Sequence, residues 1–224
     1  MTRSTARPAT RDTPRDADAA DLLMRAHPGA RAQLKRRLMA AALVCFNERG
    51  IPATTIEEIL SRAEASVGNL YHHFGSKEGL VAALFFCALD DQSVLSQKAL
   101  DQAHTAREGV AALVGAYVDW VSAQPDWARF VFAARAVVAA GPQAAELKER
   151  NRQRARALMA WLAEPGRVEA FQPWPAELMP SLLIGAAENY SRAWLSGRVK
   201  AAPTVHREVL IEAVWRAVKV ADLA

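Results

Sequence analysis

Ser66, Val67, Gly68 and Asn69 are the residues of this 224-residue chain whose types and order point most directly to chemistry. A helix that enters the major groove of DNA presents small or polar side chains at its N-terminal end, where base edges lie closest and the helix dipole favours nearby phosphate. Asparagine bonds an adenine edge through two atoms, valine touches a thymine methyl, and Gly68 lets the backbone approach closely. These four are candidate sequence readers. Thr54 or Thr55, Tyr71, His72 and Lys77 fall where phosphates of the flanking strand would run, and such contacts position without specifying. Each of these also has a plainer role. Thr55 is a cap whether or not it binds phosphate, Leu70, Tyr71 and Phe74 suit a core, and the adjacent His72 and His73 point to different helix faces, which argues against a shared metal.

Short helices must carry these residues. Leu34, Leu38, Ala41, Ala42, Cys45 and Phe46 recur at three- and four-residue steps and predict a first helix from about Arg31, ended by Gly50 and Pro52. Thr54 and Thr55, each with a glutamate three positions on (Glu57, Glu58), offer two registers of a capping box for a second helix. Ser66 caps a third, Val67 to about His73, Gly75 stops it, and Ser76 caps a fourth. Two short helices joined by three or four residues and laid on a longer one make a helix-turn-helix. Beyond Ser76 the apolar stripes are all helical and no window alternates with period two, so the expected class is all-α.

Charge is concentrated at one end. Residues 1 to 49 hold ten Lys or Arg and five acids, a surplus of five, and since the whole chain carries +4 the remainder is close to neutral. A basic end on a neutral body fits an encounter with phosphate, or simply a solvated face. Residues 1–29 lack hydrophobic periodicity and read as a flexible basic arm with a short helical patch at residues 19–25. Arg3, Arg7, Arg11 and Arg15 on that arm either enter a minor groove or do nothing. Charge-free stretches stop near ten residues, about half of the roughly 20 that a membrane helix needs, and no apolar segment follows the basic N-terminus as in a secretory signal. The expectation is a cytoplasmic protein with no membrane partner. Cys45 and Cys87 lie in apolar helical patterns, which suits core residues and gives no disulfide framework. No nucleophile elbow, phosphate loop, dinucleotide fingerprint or zinc-binding helix is present and the five histidines are scattered, so no enzyme, metal or cofactor is expected.

The run Leu70-Tyr71-His72-His73-Phe74-Gly75-Ser76-Lys77-Glu78, with Thr54 to Leu60 before it, resembles the DNA-binding domain of the TetR family of transcriptional regulators over residues 31 to 85. The resemblance implies a helix-turn-helix domain at 30–78 and a helical effector-binding and dimerisation domain at 79–224, and it implies DNA-contacting roles at the matching positions. Where the family pattern usually has glycine in the turn, this chain has Glu64. If that position requires a positive φ, the departure costs on the order of 1 kcal/mol. A carboxylate there repels phosphate, so Glu64 is expected to point away or to pair with Arg62.

The body must then carry control. Its six tryptophans, at 120, 127, 161, 174, 194 and 215, fill a core, seal a dimer or line a pocket. Arg135 interrupts an apolar run beginning at Phe130, and a buried guanidinium there needs either Glu188 or an anionic ligand. Trp120, Trp127, Phe130, Arg135, Trp161 and Asn189 are therefore candidate ligand contacts. Two stripes, Leu178, Leu182, Gly185, Ala186, Asn189, Ala193 and Val209, Leu210, Val214, Trp215, Val218, suggest a homodimer through residues 176–196 and 204–220, as the resemblance also implies. Together these readings describe a regulator, a repressor released from a palindromic DNA operator by a small apolar or aromatic effector. The alternatives are an activator of the same fold and a helical DNA-binding protein without an effector.

Overall fold

Four hydroxyl side chains fix where four helices begin. In the computed structural model, which describes residues 14–220, Thr55, Ser66, Ser76 and Thr105 each accept a hydrogen bond from the backbone N–H three residues on. The described residues form α1 (Pro14–Ala26), α2 (Gln33–Arg49), α3 (Ile56–Ala63), α4 (Val67–Phe74) and α5 (Lys77–Leu100), then α6 (Ala106–Ala123), α7 (Pro125–Ala140), α8 (Ala144–Leu162), α9 (Met179–Leu195) and α10 (Arg207–Val218). The all-α expectation holds. The nearest approach to a sheet among the described residues is one antiparallel bridge between Phe171 and Lys219, which ties the segment before α9 to the end of α10.

Helices α2, α3 and α4 pack as a three-helix unit. Leu38, Met39, Leu43 and Phe46 from α2 meet Ile59 and Leu60 from α3, and Leu70 is the one fully buried residue of α4. The turn between α3 and α4 turns on Glu64, whose φ of 49° and ψ of 51° lie in the left-handed region. It is the only non-glycine residue among those described with positive φ. The strain inferred for this position, on the order of 1 kcal/mol, is therefore present. Arg62 makes a two-pronged bond to Glu48 at 3.1 and 2.8 Å, and the Arg37 guanidinium donates to the Glu64 backbone carbonyl at 3.2 Å.

Helix α5 runs 24 residues, about 36 Å at 1.5 Å per residue. Its start packs on α4 and α2, and its length packs on α6 and α7. It is long and apolar enough to cross a membrane. Leu80, Val81, Leu84, Phe85 and Ala88 are instead wholly covered by neighbouring helices, as in any core helix.

The structure departs from the expected arm. Residues 1–13 lie outside the described residues, and with them Arg3, Arg7 and Arg11. From Pro14 to Ala26 the chain is helix, longer than the patch read from the sequence, and α1 lies against α2, α5 and α7. Leu22 and Leu23 are completely covered, and Arg25 donates to Asp91 on α5 at 2.8 Å. Two adjacent leucines in a polar stretch carry too weak a period to reveal a docked helix, yet burying them offsets the cost of ordering it. Truncating Leu22 to Ala should therefore lower unfolding free energy by about 2–4 kcal/mol in urea denaturation, whereas Arg31→Ala, at an exposed site, should change it by less than about 0.5 kcal/mol. Equal small effects would mean that α1 contributes nothing to the core.

Candidate nucleic-acid interface

The short helix α4 is anchored on one side and open on the other. Leu70 is 0% exposed and pins the helix to the unit beneath, while Ser66, Val67, Gly68, Tyr71 and His72 are exposed and share the opposite face. Val67 is 52% and Tyr71 48% exposed, a large apolar and aromatic area for so short a helix. Helix α4 thus carries an outward ridge the width of a groove-reading helix. A Cβ built on Gly68 meets nothing closer than 3.9 Å, so glycine there serves access to the helix surface rather than internal packing. Gly75, at φ 73°, ends α4 and swings the chain into α5.

Asn69 departs from its expected role. Its Oδ1 accepts from the Ser66 backbone N–H at 3.1 Å and from the Ser66 hydroxyl at 2.7 Å, while Ser66 Oγ accepts from the Asn69 N–H. This reciprocal capping box occupies both lone pairs of the amide oxygen. Two-atom recognition of adenine needs that oxygen, which the cap already uses in the free chain. The Ser66-x-x-Asn69 spacing carried this signal in the sequence. Thr54 also differs from expectation. It is 1% exposed, and its hydroxyl donates to the backbone carbonyls of Cys45 and Gly50, which leaves nothing for phosphate. Thr55 takes the capping register. Its Oγ1 accepts from Glu58 N–H, and the Glu58 carboxylate accepts from Thr55 N–H at 2.9 Å and pairs with Arg49 at 2.7 Å.

Lys77 sits in the first turn of α5, its Nζ donating to the Pro52 carbonyl at 3.4 Å, so its ammonium lies beside the start of α3. His73, half-buried behind His72, has its pKa lowered by burial and then by His72 and Lys35. Burial raises the Cys45 thiol pKa, as expected of an unreactive core residue. Among the described residues no group of three or more His, Cys, Asp or Glu is placed to hold a metal ion.

Of the candidate ligand residues, Trp120, Trp127 and Phe130 share the buried core and Trp161 packs against it, whereas Arg135 and Asn189 are exposed. Trp120 is buried, with Nε1 donating to Asp91 at 2.9 Å. Trp127 and Phe130 are buried too, and Phe130 stacks on Phe46 of α2 at 5.7 Å. Trp161 lies flat against Gly109, where a Cβ would overlap its ring, with the Arg167 guanidinium 4.0 Å above it. Arg135 is exposed rather than buried, and Glu188 pairs with Arg192. Helix α7 looked apolar all round because its outer face is alanine (Ala133, Ala136, Ala139, Ala140), a residue that favours helix and tolerates water. Asn189 is exposed on α9. The stripe read on α10 is also corrected: Val214 and Val218 face the core, and the outer face is Val205, Val209, Ala213, Ala217 and Val220.

A capped, outward-facing helix, set on two others and followed by an all-helical body, is a helix-turn-helix arrangement. Residues 38–84 match the sequence profile of bacterial regulatory proteins of the tetR family. The repressor KstR2 of Mycolicibacterium smegmatis is 35% identical over 86 residues, covering 38% of this chain and 42% of that protein. The regulator BetI of Burkholderia ambifaria is 32% identical over 92 residues, covering 41% of this chain and 47% of that protein. The matched segments thus span less than half of these relatives, which are transcriptional regulators and not enzymes. The fold extends further. A TetR family transcription regulator from Marinobacter aquaeolei superposes with a TM-score of 0.72 at 19% identity, over 85% of this chain and 98% of that one. KstR2 of Mycobacterium tuberculosis superposes at 0.66 and 23% identity, over 83% of this chain and 96% of that one.

Because Asn69 completes the cap, Asn69→Ala should lower stability by about 1 kcal/mol, whereas Asn69→Asp, which keeps both acceptor positions, should leave it within about 0.5 kcal/mol. Thermal unfolding of the two variants distinguishes a capping residue from a merely exposed one. Equal melting temperatures would rule the cap out.

Proposed function

We propose that this chain is a sequence-specific DNA-binding transcriptional regulator, a repressor in the cytoplasm that binds a palindromic operator as a homodimer and leaves it when a small molecule binds. The observation that carries the reading is the exposed ridge Val67, Gly68, Tyr71 and His72 on a helix whose opposite side is fixed by buried Leu70. In this reading Val67 meets a base methyl, Gly68 admits the backbone, and Asn69 donates from Nδ2. Ser66, Thr55, Tyr71, His72 and Lys77 hold the phosphates.

Two such helices address two half-sites only if two chains associate. Support comes from the outer faces of the last two helices: Val205 and Val209 are 69% and 68% exposed, and Leu178 is 43% exposed beside the small residues Gly185 and Ala186 on α9. An exposed apolar face of this kind is covered most economically by its own copy across a two-fold axis. The recognition helices then fall about 34–36 Å apart, one turn of DNA. Release follows if the effector binds the DNA-competent and DNA-incompetent dimers unequally, and effector and operator then weaken each other by the same factor.

Selection of bound sequences from random duplex DNA should recover a palindrome. No preference over scrambled duplex would overturn the assignment. Lys77→Ala should weaken binding to all sequences alike and lower the slope of log K against log salt by about one, as removal of a phosphate contact does. Val209→Glu should turn the dimer into a monomer in light scattering without loss of helical signal, and a persisting dimer would place the interface elsewhere.

A further inference from the structure

Trp120, Trp127 and Phe130 are buried in the body's core, and a cleft lies at the seam between the helix-turn-helix unit and the body. It is a cleft of about 680 Å³ between the end of α1, the start of α2, one face of α5, and α8. Small-molecule sites run from about 300 to 1,000 Å³. Its apolar wall is Ala82, Ala83 and Phe86. Most of its charges are already matched. Arg150 lies 4.4 Å over the Phe86 ring and is bonded to Asp90 at 2.8 Å and to Glu146 at 2.9 Å. Arg25 is bonded to one oxygen of Asp91, whose other oxygen accepts from Trp120. Lys35, half-buried at the α2 end, makes no ion pair among the described residues. Beside it His27 is kept towards its neutral form, by burial first and then by Lys35 and Arg36.

We propose that this cleft is the effector site, and that its ligand is a small apolar monocarboxylate whose anionic end pairs with Lys35 and whose hydrocarbon lies on Ala82, Ala83 and Phe86. One uncommitted cation selects a single negative charge, since a phosphate brings more charge and more acceptors than one ammonium matches. A wall of two alanines and a phenylalanine selects an apolar remainder. The proposal rests on the ligand-responsive reading above and gives it a site. Lys35 belongs to α2 of the DNA-reading unit and Arg150 to α8 of the body, so an occupant that engages both sides bears directly on how the two are tilted.

The test is calorimetric titration of the full chain with octanoate, decanoate, dodecanoate and 4-phenylbutyrate, each against its alcohol. At least one acid should bind ten times or more tightly than its alcohol. Lys35→Met should remove that preference while leaving the alcohol unchanged. Ala83→Trp, which fills the cleft, should abolish binding of both at a retained melting temperature. Absence of binding by every acid up to millimolar concentration, or less than a twofold effect of Lys35→Met, overturns the proposal. Selection on random duplex DNA with the same preparation separates the two readings. A palindrome without acid binding leaves the regulator standing and removes the cleft, whereas Lys35-dependent acid binding without any selected duplex keeps the cleft and removes the regulator.

Discussion

One continuous hydrophobic core joins the DNA-reading end to the body, and every mechanism open to the molecule must respect it. The same cluster of buried side chains includes Ile59 and Leu70 at one end and Val214 and Val218 at the other, with α5 running through the middle. At the seam Phe46 stacks on Phe130, and the Asn47 amide donates to the Asp126 carbonyl at 2.9 Å. A packed interior moves between discrete arrangements and does not flex like a linker. The division at 30–78 and 79–224 follows the motif, and the buried cluster runs across it. In the proposed mechanism the presentation of α4 changes when α2 and α5 shift together against α7 and α8, with a ligand favouring one such arrangement.

What was legible in the sequence was local. Hydroxyl caps at Thr55, Ser66 and Ser76, glycines at 50 and 75, and apolar steps of three and four need only near neighbours in the chain, and α2 to α5 begin and end within a few residues of where those signals place them. The left-handed residue at Glu64 was legible only through the resemblance, whose pattern usually has glycine in that turn. What was not legible depends on partners far along the chain. Alanine fits a buried or an exposed helix face equally well, so α7 gave no sign that Arg135 looks outward. A tryptophan in a pocket and one in a core have the same sequence context. Trp120 is fixed by a carboxylate 29 residues away and Trp161 by a glycine 52 positions back, relations with no period to read.

Asn69 shows how a site residue can belong to both fold and function. Its amide oxygen closes the cap that starts α4, so the free protein holds the recognition helix formed before DNA arrives. Preorganisation of that kind reduces the ordering cost of binding. It also narrows what Asn69 can read, because trading the cap for a second bond to adenine gives back about 1 kcal/mol of a discrimination worth about 1–3 kcal/mol per base. In the proposed reading sequence preference then rests on Val67, whose exposed apolar surface has no structural duty in the free chain.

The cleft at the seam can be weighed against what release from DNA demands. Moving a two-state population from one per cent to ninety-nine requires a difference of about 5.5 kcal/mol in ligand binding to the two states. A charged hydrogen bond to Lys35 contributes about 1.5–3 kcal/mol of that at most. The remaining 2.5–4 kcal/mol or so corresponds to roughly 100–160 Å² of apolar surface covered in one state and open in the other. In the proposed site a hydrocarbon on Ala82, Ala83 and Phe86 would supply that area if α8 covered it in one state and not in the other. In the proposed dimer two clefts would act on one arrangement, and each would supply only about half of the total.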